Sequence, residues 1–429
     1  MTPWLSAAYR TAARAAELVS LVTPTSSRGK LSRAFTARRG IHRRYRAWGA
    51  EYRDSSRPLL WLHAASVGEG LMALPLLQGV RRALPNVQIA YTFYSPSAES
   101  SAEKMGADFT DYLPFDSASS ARVALDALDP TAIVFTKGDV WPVLVREAAA
   151  QQVRLALVSA SIPATSHRTG GMGAMLTRDA YNALDAIGAA SDEDAKRIVE
   201  AGARENRVRV TGDTRYDQAW ARAHTTPQNV ATVEDLTSSR PTLVAGSTWR
   251  SDERVLLPAW LAARTSNPTA RLIIAPHELA PAHVESLHQW ARSNELSSAT
   301  IDSATDDSDV VVVDRMGVLA DLYAVATAAY VGGGFHSSGL HSLVEPAVFR
   351  APVVVGPNHE GSRDATMMLS AAGAISVDNV DQMTRALMRL LGDETERADR
   401  SNAIGSVVAA ELGAVDRSFE IVRELLRTV

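Results

Sequence analysis

The sequence has no cysteine in its 429 residues. This absence excludes a disulfide framework, a thiol nucleophile and thiolate metal ligands, and it fits a reducing compartment. Aromatic residues make up only 6% of the chain, whereas 46% of residues are hydrophobic and 21% are charged, a composition that excludes collagen, a coiled coil and a disordered chain. Apolar runs of about 18 residues are also missing, so the sequence predicts no membrane-spanning helix. The length predicts two or three domains of roughly 100–200 residues each.

Charge is distributed unevenly along the chain. Residues 1–60 contain twelve Arg or Lys and three acidic residues, a net charge of +9, so the remainder carries −13 within an overall charge of −4. The opening segment has Arg10, Arg14 and Glu17 where a signal peptide needs an uninterrupted apolar stretch, and we therefore expect no export. An acidic body repels phosphate backbones, so we expect no nucleic-acid partner.

A basic amphipathic, membrane-associating arm is predicted over residues 1–50. A helix at its start would separate Arg10, Arg14 and Glu17 from an apolar side that consists of Trp4, Ala8, Ala15, Leu18 and Val22. Further along, arginines are interleaved with aromatics; these residues are Phe35, Arg38, Arg39, Arg43, Arg44, Tyr45, Arg46 and Trp48. This pattern favours an anionic membrane surface, where each cation contributes about 1 kcal/mol. A solvated helix that covers the first domain explains the same pattern.

From Leu59 onward, short apolar runs rich in β-branched residues alternate with helix-like stretches. Such near-continuous runs are typical of strands that are buried on both faces of a parallel sheet. In the first half of the chain the predicted strands are 59–65, 87–94, 109–114, 132–137, 155–161, 186–190 and 208–213. In the second half they are 242–248, 270–277, 309–315, 328–334, 352–358 and 374–377.

The two series of strands predict an α/β protein with two doubly wound, Rossmann-like domains that face a central cleft. A polar stretch without strand signals separates the two series. We place the first domain at 51–220, a linker at 221–240 and the second domain at 241–429, with one or two helices from about Glu394 to Leu426. Because ligands of such domains bind at the carboxyl ends of the strands, candidate site residues are sought there.

The first domain has candidates after two of its predicted strands. Ser66, Gly68 and Glu69 form a turn into a helix, where small residues let a ligand approach and a carboxylate can act as a general base. The alternative role for Glu69 is to complement the helix dipole, at about 0.3–1 kcal/mol. Lys137 suits a phosphate or a sugar carboxylate and Asp139 suits an acceptor hydroxyl, although a surface ion pair of little energetic value is the alternative.

The second domain has two candidate groups after its first two strands. Gly246, Ser247 and Thr248 precede a predicted helix, where hydrogen-bond donors suit an oxyanion or a phosphate. His277 and Glu278 follow the next strand, within reach of a base or a ribose. A capping role is the alternative for Glu278.

A glycine-rich stretch later in the second domain is the richest candidate. Gly332, Gly333 and Gly334 end a strand, and their backbone N–H groups could reach a phosphate, with a tight turn as the alternative. The following helix is predicted to open with His341, Ser342 and Glu345. Glu345 is placed near ribose hydroxyls.

Two further patterns are not interpreted as metal sites. The acidic segment 305–309 precedes a strand and so lies at the opposite edge of the sheet. His336 and His341 are five residues apart, a spacing that does not place them on one face of a helix. We therefore predict no catalytic metal.

The order and spacing of nine segments resemble the 3-deoxy-D-manno-octulosonic acid (Kdo) transferases of glycosyltransferase family 30, from about Phe35 to the carboxyl terminus. The segments are HAASVGE, TFYSPSAES, YLPFD, VWP, VTGDTRYD, VAGSTWRSDE, LIIAPHE, YVGGGFHSSGLHSLVEPA and VVVGPNHEGSRDA. Together they are far more specific than any one of them.

The resemblance implies a GT-B fold and an inverting, metal-independent transfer of Kdo from CMP-Kdo to a lipid A precursor in lipopolysaccharide biosynthesis. It implies no cofactor beyond the CMP-Kdo donor, and a peripheral location on the cytoplasmic face of the inner membrane. By motif position Glu69 matches the family's general base, and Ser66, Gly68, Lys137 and Asp139 would contact acceptor or sugar. The residues that would bind the CMP-sugar are Gly246, Ser247, Thr248, His277, Glu278, Gly332, Gly333, Gly334, His341, Ser342 and Glu345.

The chain departs from the family pattern at three places. Lys137 stands where many members have a glutamate, Ser161 where many have an arginine, and Ser342-Leu343 where many have Asn-Pro. Two other functions remain as alternatives: a nucleotide-sugar epimerase or hydrolase of the same architecture, and a nucleotide-sugar-binding protein without turnover.

Overall fold

The computed structural model describes residues 9, 11, 13–15, 17, 30–163, 171–225, 233–234 and 236–427. The chain forms two compact units: Met1–Gln218 together with Leu412–Val429, and Ala219–Glu411. In the described part of each unit, seven parallel strands form a single sheet, and helices connect most successive strands.

The first unit is built on a sheet whose strand order reverses between β1 and β4. Its strands are β1 (Leu59–His63), β2 (Gln88–Phe93), β3 (Phe109–Tyr112), β4 (Ala132–Thr136), β5 (Arg154–Ala160), β6 (Ala186–Ala189) and β7 (Val208–Val210). Their order is β3-β2-β1-β4-β5-β6-β7, and every residue of β1, β2 and β4 is buried. Burial on both faces is the reason that these strands are almost uninterrupted apolar runs.

The α-helices described up to residue 225 either connect these strands or precede them. They are Lys30–Ala37, Ile41–Tyr52, Val67–Ala83, Glu99–Ala102, Ala118–Leu128, Pro142–Ala150, Gly171–Ala183, Asp192–Glu200 and Thr214–His224.

The second unit has the same plan, and its strand order reverses between β8 and β12. Its strands are β8 (Thr242–Thr248), β9 (Arg271–Pro276), β10 (Ser298–Thr300), β11 (Val310–Val312), β12 (Ala328–Val331), β13 (Val353–Val355) and β14 (Ala374–Ser376), in the order β10-β11-β9-β8-β12-β13-β14. Its α-helices are Arg250–Arg264, Pro281–Ser293, Leu319–Leu322, Val344–Val348, Arg363–Ser370, Val380–Gly392 and Glu394–Glu411.

All thirteen predicted strands are present, with ends shortened or shifted by a few residues. The analysis missed β10, which is only Ser-Ala-Thr at the edge of the second sheet, with each residue half-buried. An edge strand of this length needs no apolar run, so hydrophobic periodicity does not detect it.

The final helix was assigned to the wrong domain. The pair of helices expected from Glu394 to Leu426 is present, but the second of them, Ala414–Leu426, belongs to the first unit rather than to a domain at 241–429. Its Ile421 and Val422 are fully buried in the core of the first unit. Periodicity predicts a helix with an apolar face but does not specify which sheet that face covers.

Asp217 explains how the returning chain is held on the first unit. Its two carboxylate oxygens accept the backbone N–H groups of Gly413 (2.7 Å) and Val415 (3.1 Å), which satisfies amides at the start of the last helix. The helix that carries Asp217 runs to His224, so the first residues of the predicted linker 221–240 are helical.

Residues 30–52 are an integral part of the first unit and not a separate arm, which corrects the boundary predicted at residue 50. Tyr45 is fully buried and donates to the Tyr112 carbonyl (2.9 Å), and Trp48 donates to the Asp108 carbonyl (3.0 Å). Arg44 binds the carboxylate of Asp111 through two nitrogens at 2.6 and 2.8 Å. These helices therefore cover the first domain, and only their exposed cations remain available to a membrane surface.

Arg38 is likewise used internally. It is 2% exposed, and its guanidinium donates to the carbonyls of Leu113 (2.8 Å) and Tyr94 (3.0 Å). The guanidinium carbon also lies 4.2 Å from the centroid of the Tyr94 ring and 4.9 Å from that of Tyr112. Arg38 therefore joins the ends of β2 and β3, whereas Arg43 and Arg46 are exposed.

The described residues of the first segment are helical, and they divide into two faces. Tyr9, Ala13 and Glu17 are half-buried, whereas Thr11, Arg14 and Ala15 are exposed. The predicted apolar positions Trp4, Ala8, Leu18 and Val22 lie outside the described residues. Among the helices of the described residues, none is long and apolar enough to cross a membrane.

Candidate functional site

Both units place their candidate residues at the point where the strand order reverses. In the first unit Glu69 follows β1, while Lys137 and Asp139 follow β4, the neighbouring strand. In the second unit Gly246 to Thr248 end β8, while Gly332 to Gly334 follow its neighbour β12. Such a reversal opens a crevice beyond the carboxyl ends of the strands, where ligands of doubly wound domains bind.

Glu69 lies in the first turn of the helix Val67–Ala83 and helps to begin that helix. The hydroxyl of Ser66, the N-cap residue, accepts the Glu69 N–H (3.4 Å), and Glu69 Oε2 accepts the Ala65 N–H (2.8 Å). Glu69 therefore lies where its charge complements the helix dipole, which is the alternative role given for it above. Because the Ala65 contact uses one carboxylate oxygen, it is compatible with proton transfer at the other.

The surroundings of Glu69 favour its protonated form. Partial burial raises the pKa of the Glu69 carboxyl above its ordinary value, and the charge of Asp139 acts in the same direction. The Ala65 N–H and the charge of Lys137 lower this pKa. A half-buried carboxylate with a raised pKa at a ligand-binding edge is a candidate general base.

Lys137 and Asp139 lie on a turn with an unusual backbone. Lys137 is exposed and has φ +62°, a left-handed conformation that is uncommon for residues other than glycine. Ser247 has φ +55° at the corresponding turn of the second unit. Strained residues of this kind cluster at ligand-binding sites because the surrounding structure holds them there.

Sequence reasoning missed His63 and assigned no site role to Trp141, which is half-buried and packs against the core of the first unit at this edge. The indole N–H of Trp141 donates to His63 Nε2 (3.2 Å), so Nδ1 carries the imidazole proton and faces Thr92 Oγ1 (3.0 Å). Trp141 stacks on Tyr94 with ring centroids 4.9 Å apart, and Asp139 lies 3.9 Å from His63 Nε2. The only sequence signal was that His63 and Trp141 lie within the HAASVGE and VWP segments.

Gly68 is exposed, and a Cβ built on it has no neighbour within 4 Å. We expect Gly68→Ala to leave the protein equally stable or more stable by up to about 1 kcal/mol, because alanine is the better helix former. If the acceptor approaches this turn closely, the added methyl group raises its KM. Thermal unfolding and steady-state kinetics measure the two effects, and an unchanged acceptor KM would show that the acceptor does not approach Gly68.

In the second unit, the turn after β8 is held mainly by internal contacts. Thr248 is fully buried and its hydroxyl donates to Glu253 Oε1 (2.9 Å), while Glu253 Oε2 lies 2.7 Å from His283 Nε2. Thr248 therefore supports the turn and does not offer its hydroxyl to a phosphate. Ser247 is half-buried and remains a candidate donor, and Gly246 is buried against the Tyr323 hydroxyl.

Asp252 organises the glycine-rich stretch. This fully buried carboxylate accepts four hydrogen bonds: from the N–H groups of Trp249 (2.9 Å), Gly333 (2.9 Å) and Phe335 (3.0 Å) and from the Tyr330 hydroxyl (2.8 Å). It thus links the end of β8 to the end of β12. The sequence signal for Asp252 was its place in the VAGSTWRSDE segment, and its role was not predicted because it depends on contacts far apart in the chain.

The glycines have a different role from the predicted one. The Gly333 N–H is bound to Asp252, and the Gly332 N–H donates to the Gly246 carbonyl (2.9 Å), so two of the three amides are not directed at a phosphate. A Cβ on Gly332 would collide with the Ser247 carbonyl, and Gly333 has φ +95°. These glycines permit close approach of backbone segments, as the tight-turn alternative proposed.

Three histidines surround Trp249 at the same edge. The indole ring stacks between His277 and His336, with ring centroids at 4.3 and 4.0 Å, and its N–H donates to His341 Nε2 (3.3 Å). Burial lowers the pKa of His341, and the neighbouring His277 lowers it further. His277 and His341 therefore belong to one cluster, as their predicted common site requires.

Ser342 and Glu345 follow His341 in the chain. The helix predicted to begin at His341 begins later than expected. The helix is short, Val344–Val348, so His341 and Ser342 precede it. The Ser342 hydroxyl donates to Asp364 Oδ2 (3.2 Å). Glu345 is exposed in the first turn, and its charge raises the pKa of Tyr323 in addition to the effect of burial.

A pocket of about 280 Å³ opens beside this cluster and has a cationic lining that the sequence analysis did not include. Its residues include Arg250, Ser251, Arg254, Glu278 and His336. Both arginines are exposed, and Ser251 Oγ is buried without a hydrogen-bond partner in the described part of the chain. Two guanidinium groups and the first turn of the helix Arg250–Arg264 suit an anionic ligand. No group of three His, Asp or Glu side chains among the described residues is arranged to hold a metal ion.

Several solved structures share the two-unit plan. A UDP-GlcNAc 2-epimerase from Neisseria meningitidis aligns with a TM-score of 0.64 and 12% identity over 87% of this chain and all 100% of its own. A putative UDP-N-acetylglucosamine 2-epimerase from Listeria monocytogenes aligns with a TM-score of 0.62 and 13% identity, and the alignment covers 85% of this chain and 97% of that protein. At such identity the likeness establishes the fold alone, an α/β fold of GT-B type.

Sequence comparison gives a more specific result. The family model for 3-Deoxy-D-manno-octulosonic-acid transferase (kdotransferase) matches residues 33–218. A 3-deoxy-D-manno-octulosonic acid transferase of Bordetella pertussis is 29% identical over 381 residues, and one of Haemophilus influenzae is 25% identical over 380; each alignment covers 86% of this chain and 87% of the relative. Over residues 33–218 the chain matches the model of the 3-deoxy-D-manno-octulosonic acid transferase family, and along 86% of its length it is similar to glycosyltransferases of that name.

Proposed function

We propose that this protein transfers Kdo from CMP-Kdo to a hydroxyl of a lipid A precursor, with inversion at the anomeric carbon. The observation that carries the proposal is the position of Glu69: a half-buried carboxylate with a raised pKa, at the strand-order reversal of the first unit. Lys137 and Asp139 act on it electrostatically from the neighbouring strand end. The family relationship supplies the chemical class of the reaction.

In the proposed reaction Glu69 is the general base. Its Oε2 stays bound to the Ala65 N–H, and Oε1 takes the proton of the acceptor hydroxyl. The acceptor oxygen forms a bond to the anomeric carbon of Kdo on the face opposite the nucleotide. The bond from that carbon to the phosphate oxygen breaks, the electron pair stays with the phosphate, and CMP leaves. A single displacement of this kind inverts the anomeric centre.

The donor site is proposed in the second unit, at the pocket beside Trp249. CMP-Kdo carries a phosphate and a sugar carboxylate, and Arg250 and Arg254 supply complementary positive charge. Ser247, His277 and Glu278 remain candidates for contacts to the nucleotide. Arginines and a helix amino terminus can stabilise a leaving phosphate, so we propose that turnover needs no metal ion and withstands EDTA.

Membrane association is a further part of the proposal. Arg43 and Arg46 are exposed, and the first segment exposes Arg14 while Tyr9 and Glu17 contact the first unit. An anionic lipid surface and a phosphorylated acceptor both suit these cations.

We expect deletion of residues 1–22 to weaken binding to vesicles that contain anionic lipid, and added salt to weaken binding of the full chain. Arg43→Gln and Arg46→Gln should each weaken binding about 5-fold, the equivalent of about 1 kcal/mol per cation. Vesicle co-sedimentation measures these effects. Equal binding by the full chain and all three variants would contradict the membrane proposal.

The pH dependence of transfer is expected to report on Glu69. A base acts when deprotonated, so activity falls as the pH drops through the Glu69 pKa, which burial raises above its ordinary value. Lys137→Met removes a charge that lowers this pKa and should move the acid limb of kcat/KM to higher pH. Asp139→Asn removes a charge that raises it and should move the limb to lower pH. A shift of the acid limb in the same direction for both variants would contradict the assignment of Glu69 as the general base.

A donor panel tests the proposed function as a whole. Purified protein is incubated with CMP-Kdo or UDP-GlcNAc, with and without a lipid A precursor, and nucleotide release is followed. We expect CMP release that depends on the lipid. UDP-GlcNAc conversion without an acceptor would instead indicate an epimerase, and tight CMP-Kdo binding without turnover would indicate a binding protein.

A further inference from the structure

Among its described residues, the first helical segment contacts the rest of the first unit through the side chains of Tyr9 and Glu17. The Tyr9 hydroxyl donates to Asp116 Oδ2 (2.8 Å). Glu17 accepts hydrogen bonds from the hydroxyls of Ser117 (2.8 Å) and Ser120 (3.1 Å). Asp116 and Ser117 lie between β3 and the helix Ala118–Leu128, and Ser120 lies in the first turn of that helix, so both contacts fix this loop and the helix start that follows it.

Asp116 connects this loop to the start of another helix. The carboxylate is 6% exposed and accepts the N–H groups of Val143 (3.0 Å) and Leu144 (2.8 Å), in the first turn of Pro142–Ala150. The residue at the N-cap of that helix, Trp141, makes no side-chain capping hydrogen bond, so Asp116 supplies the acceptors that the helix start needs. Tyr9 is the third donor to this buried carboxylate.

The helix that Asp116 caps begins directly after the candidate acceptor residues. Trp141 donates to His63 and stacks on Tyr94, and Asp139 lies two residues earlier. The charge of Asp139 also raises the pKa of the Tyr9 hydroxyl, which places Tyr9 close to this edge. Burial, followed by the charge of Asp116, raises the pKa of Tyr9, so the hydroxyl stays protonated as a donor.

We propose that Tyr9 and Glu17 are positioning residues for the acceptor: by docking the first segment on Asp116, Ser117 and Ser120, they fix the start of the helix Pro142–Ala150 and with it Trp141 and Asp139. The inference rests on the proposed function, because it assigns the docked segment to the lipid acceptor rather than to the donor. Arg14 of the same segment is exposed and offers a positive charge to an anionic lipid.

Kinetics of the full chain test the inference. Tyr9→Phe and Glu17→Gln are expected to raise the KM for the lipid acceptor about 3- to 10-fold and to leave the KM for CMP-Kdo unchanged. Tyr52→Phe, at an exposed tyrosine elsewhere in the first unit, is the matched control for Tyr9→Phe and should change neither KM. Unchanged acceptor kinetics in both variants, or equal increases in the two KM values, would overturn the inference.

Hydrogen exchange gives a second readout that needs no turnover. Loss of the Tyr9 hydroxyl should speed amide exchange in peptides that cover Val143 and Leu144, without changing exchange in the helix Glu394–Glu411. Unchanged exchange at Val143 and Leu144 would also overturn the inference. If the wild-type protein transfers nothing but Tyr9→Phe speeds this exchange, the proposed function fails and the structural link remains.

Discussion

Glu69→Gln is expected to lower kcat for transfer by about 10²–10⁴-fold, the usual contribution of a positioned general base. Glutamine has the same shape, and its carbonyl oxygen can still accept the Ala65 N–H that Glu69 Oε2 accepts. The start of the helix Val67–Ala83 is therefore kept while the group that takes the proton is lost. Steady-state kinetics with saturating donor and acceptor measure the effect.

Ser66→Ala is the matched control for the capping role of this turn. It removes the hydroxyl that accepts the Glu69 N–H and should cost about 1 kcal/mol of unfolding free energy. A lost contact of Ser66 with acceptor or sugar would raise KM, whereas kcat with saturating substrates should stay near that of the wild type. If Glu69→Gln also keeps near-wild-type turnover and only changes stability, Glu69 is a capping residue and the base lies elsewhere.

Asp252→Ala is expected to lower the free energy of unfolding of the second unit by about 3–5 kcal/mol. The substitution leaves buried donors without an acceptor, namely the N–H groups of Trp249, Gly333 and Phe335 and the hydroxyl of Tyr330. It also separates the ends of β8 and β12, so donor binding should weaken together with stability. Urea unfolding and CMP binding measure the two effects.

Asp399→Ala provides the comparison within the same unit. Asp399 is exposed in the helix Glu394–Glu411, and its replacement should change the unfolding free energy by no more than about 0.5 kcal/mol. Equal, small effects of the two substitutions would show that the glycine-rich stretch does not depend on Asp252.

The strands of both sheets were predictable because burial on two faces produces long apolar runs. The three Val residues of β11 and the run Ala328–Val331 of β12 are examples. The same rule could not assign the last helix, since an apolar face such as that of Ile421 and Val422 fits either sheet. It could not detect β10, whose three residues are half-buried.

The site was predictable where it depends on strand ends and not where it depends on contacts distant in sequence. Glu69, Lys137 and Asp139 follow β1 and β4, and the parallel sheet brings those ends together. Which hydrogen bonds are already made inside the protein is not visible in a local pattern. Thr248 and Gly333 resembled phosphate donors, but Glu253 and Asp252 bind them.

Arginines in an aromatic-rich segment can either bind a membrane surface or pack inside the protein, and the tertiary contacts decide between these two roles. Arg38 is enclosed by Tyr94 and Tyr112 in the first unit, although its sequence neighbourhood resembles a membrane-binding surface. Arg43 and Arg46 are exposed and keep that interpretation. Charge and composition therefore predicted a basic region correctly but not which of its cations face solvent.

The most direct test of the proposed reaction is the mass of the lipid product. The purified full chain is incubated with CMP-Kdo and a tetra-acylated lipid A precursor, and the lipid is analysed by mass spectrometry, with Glu69→Gln as the matched control. Transfer predicts a lipid heavier by one or more Kdo units with the wild-type protein and little or none with Glu69→Gln. An unchanged lipid mass with the wild-type protein, while CMP-Kdo is bound, would contradict the transferase function.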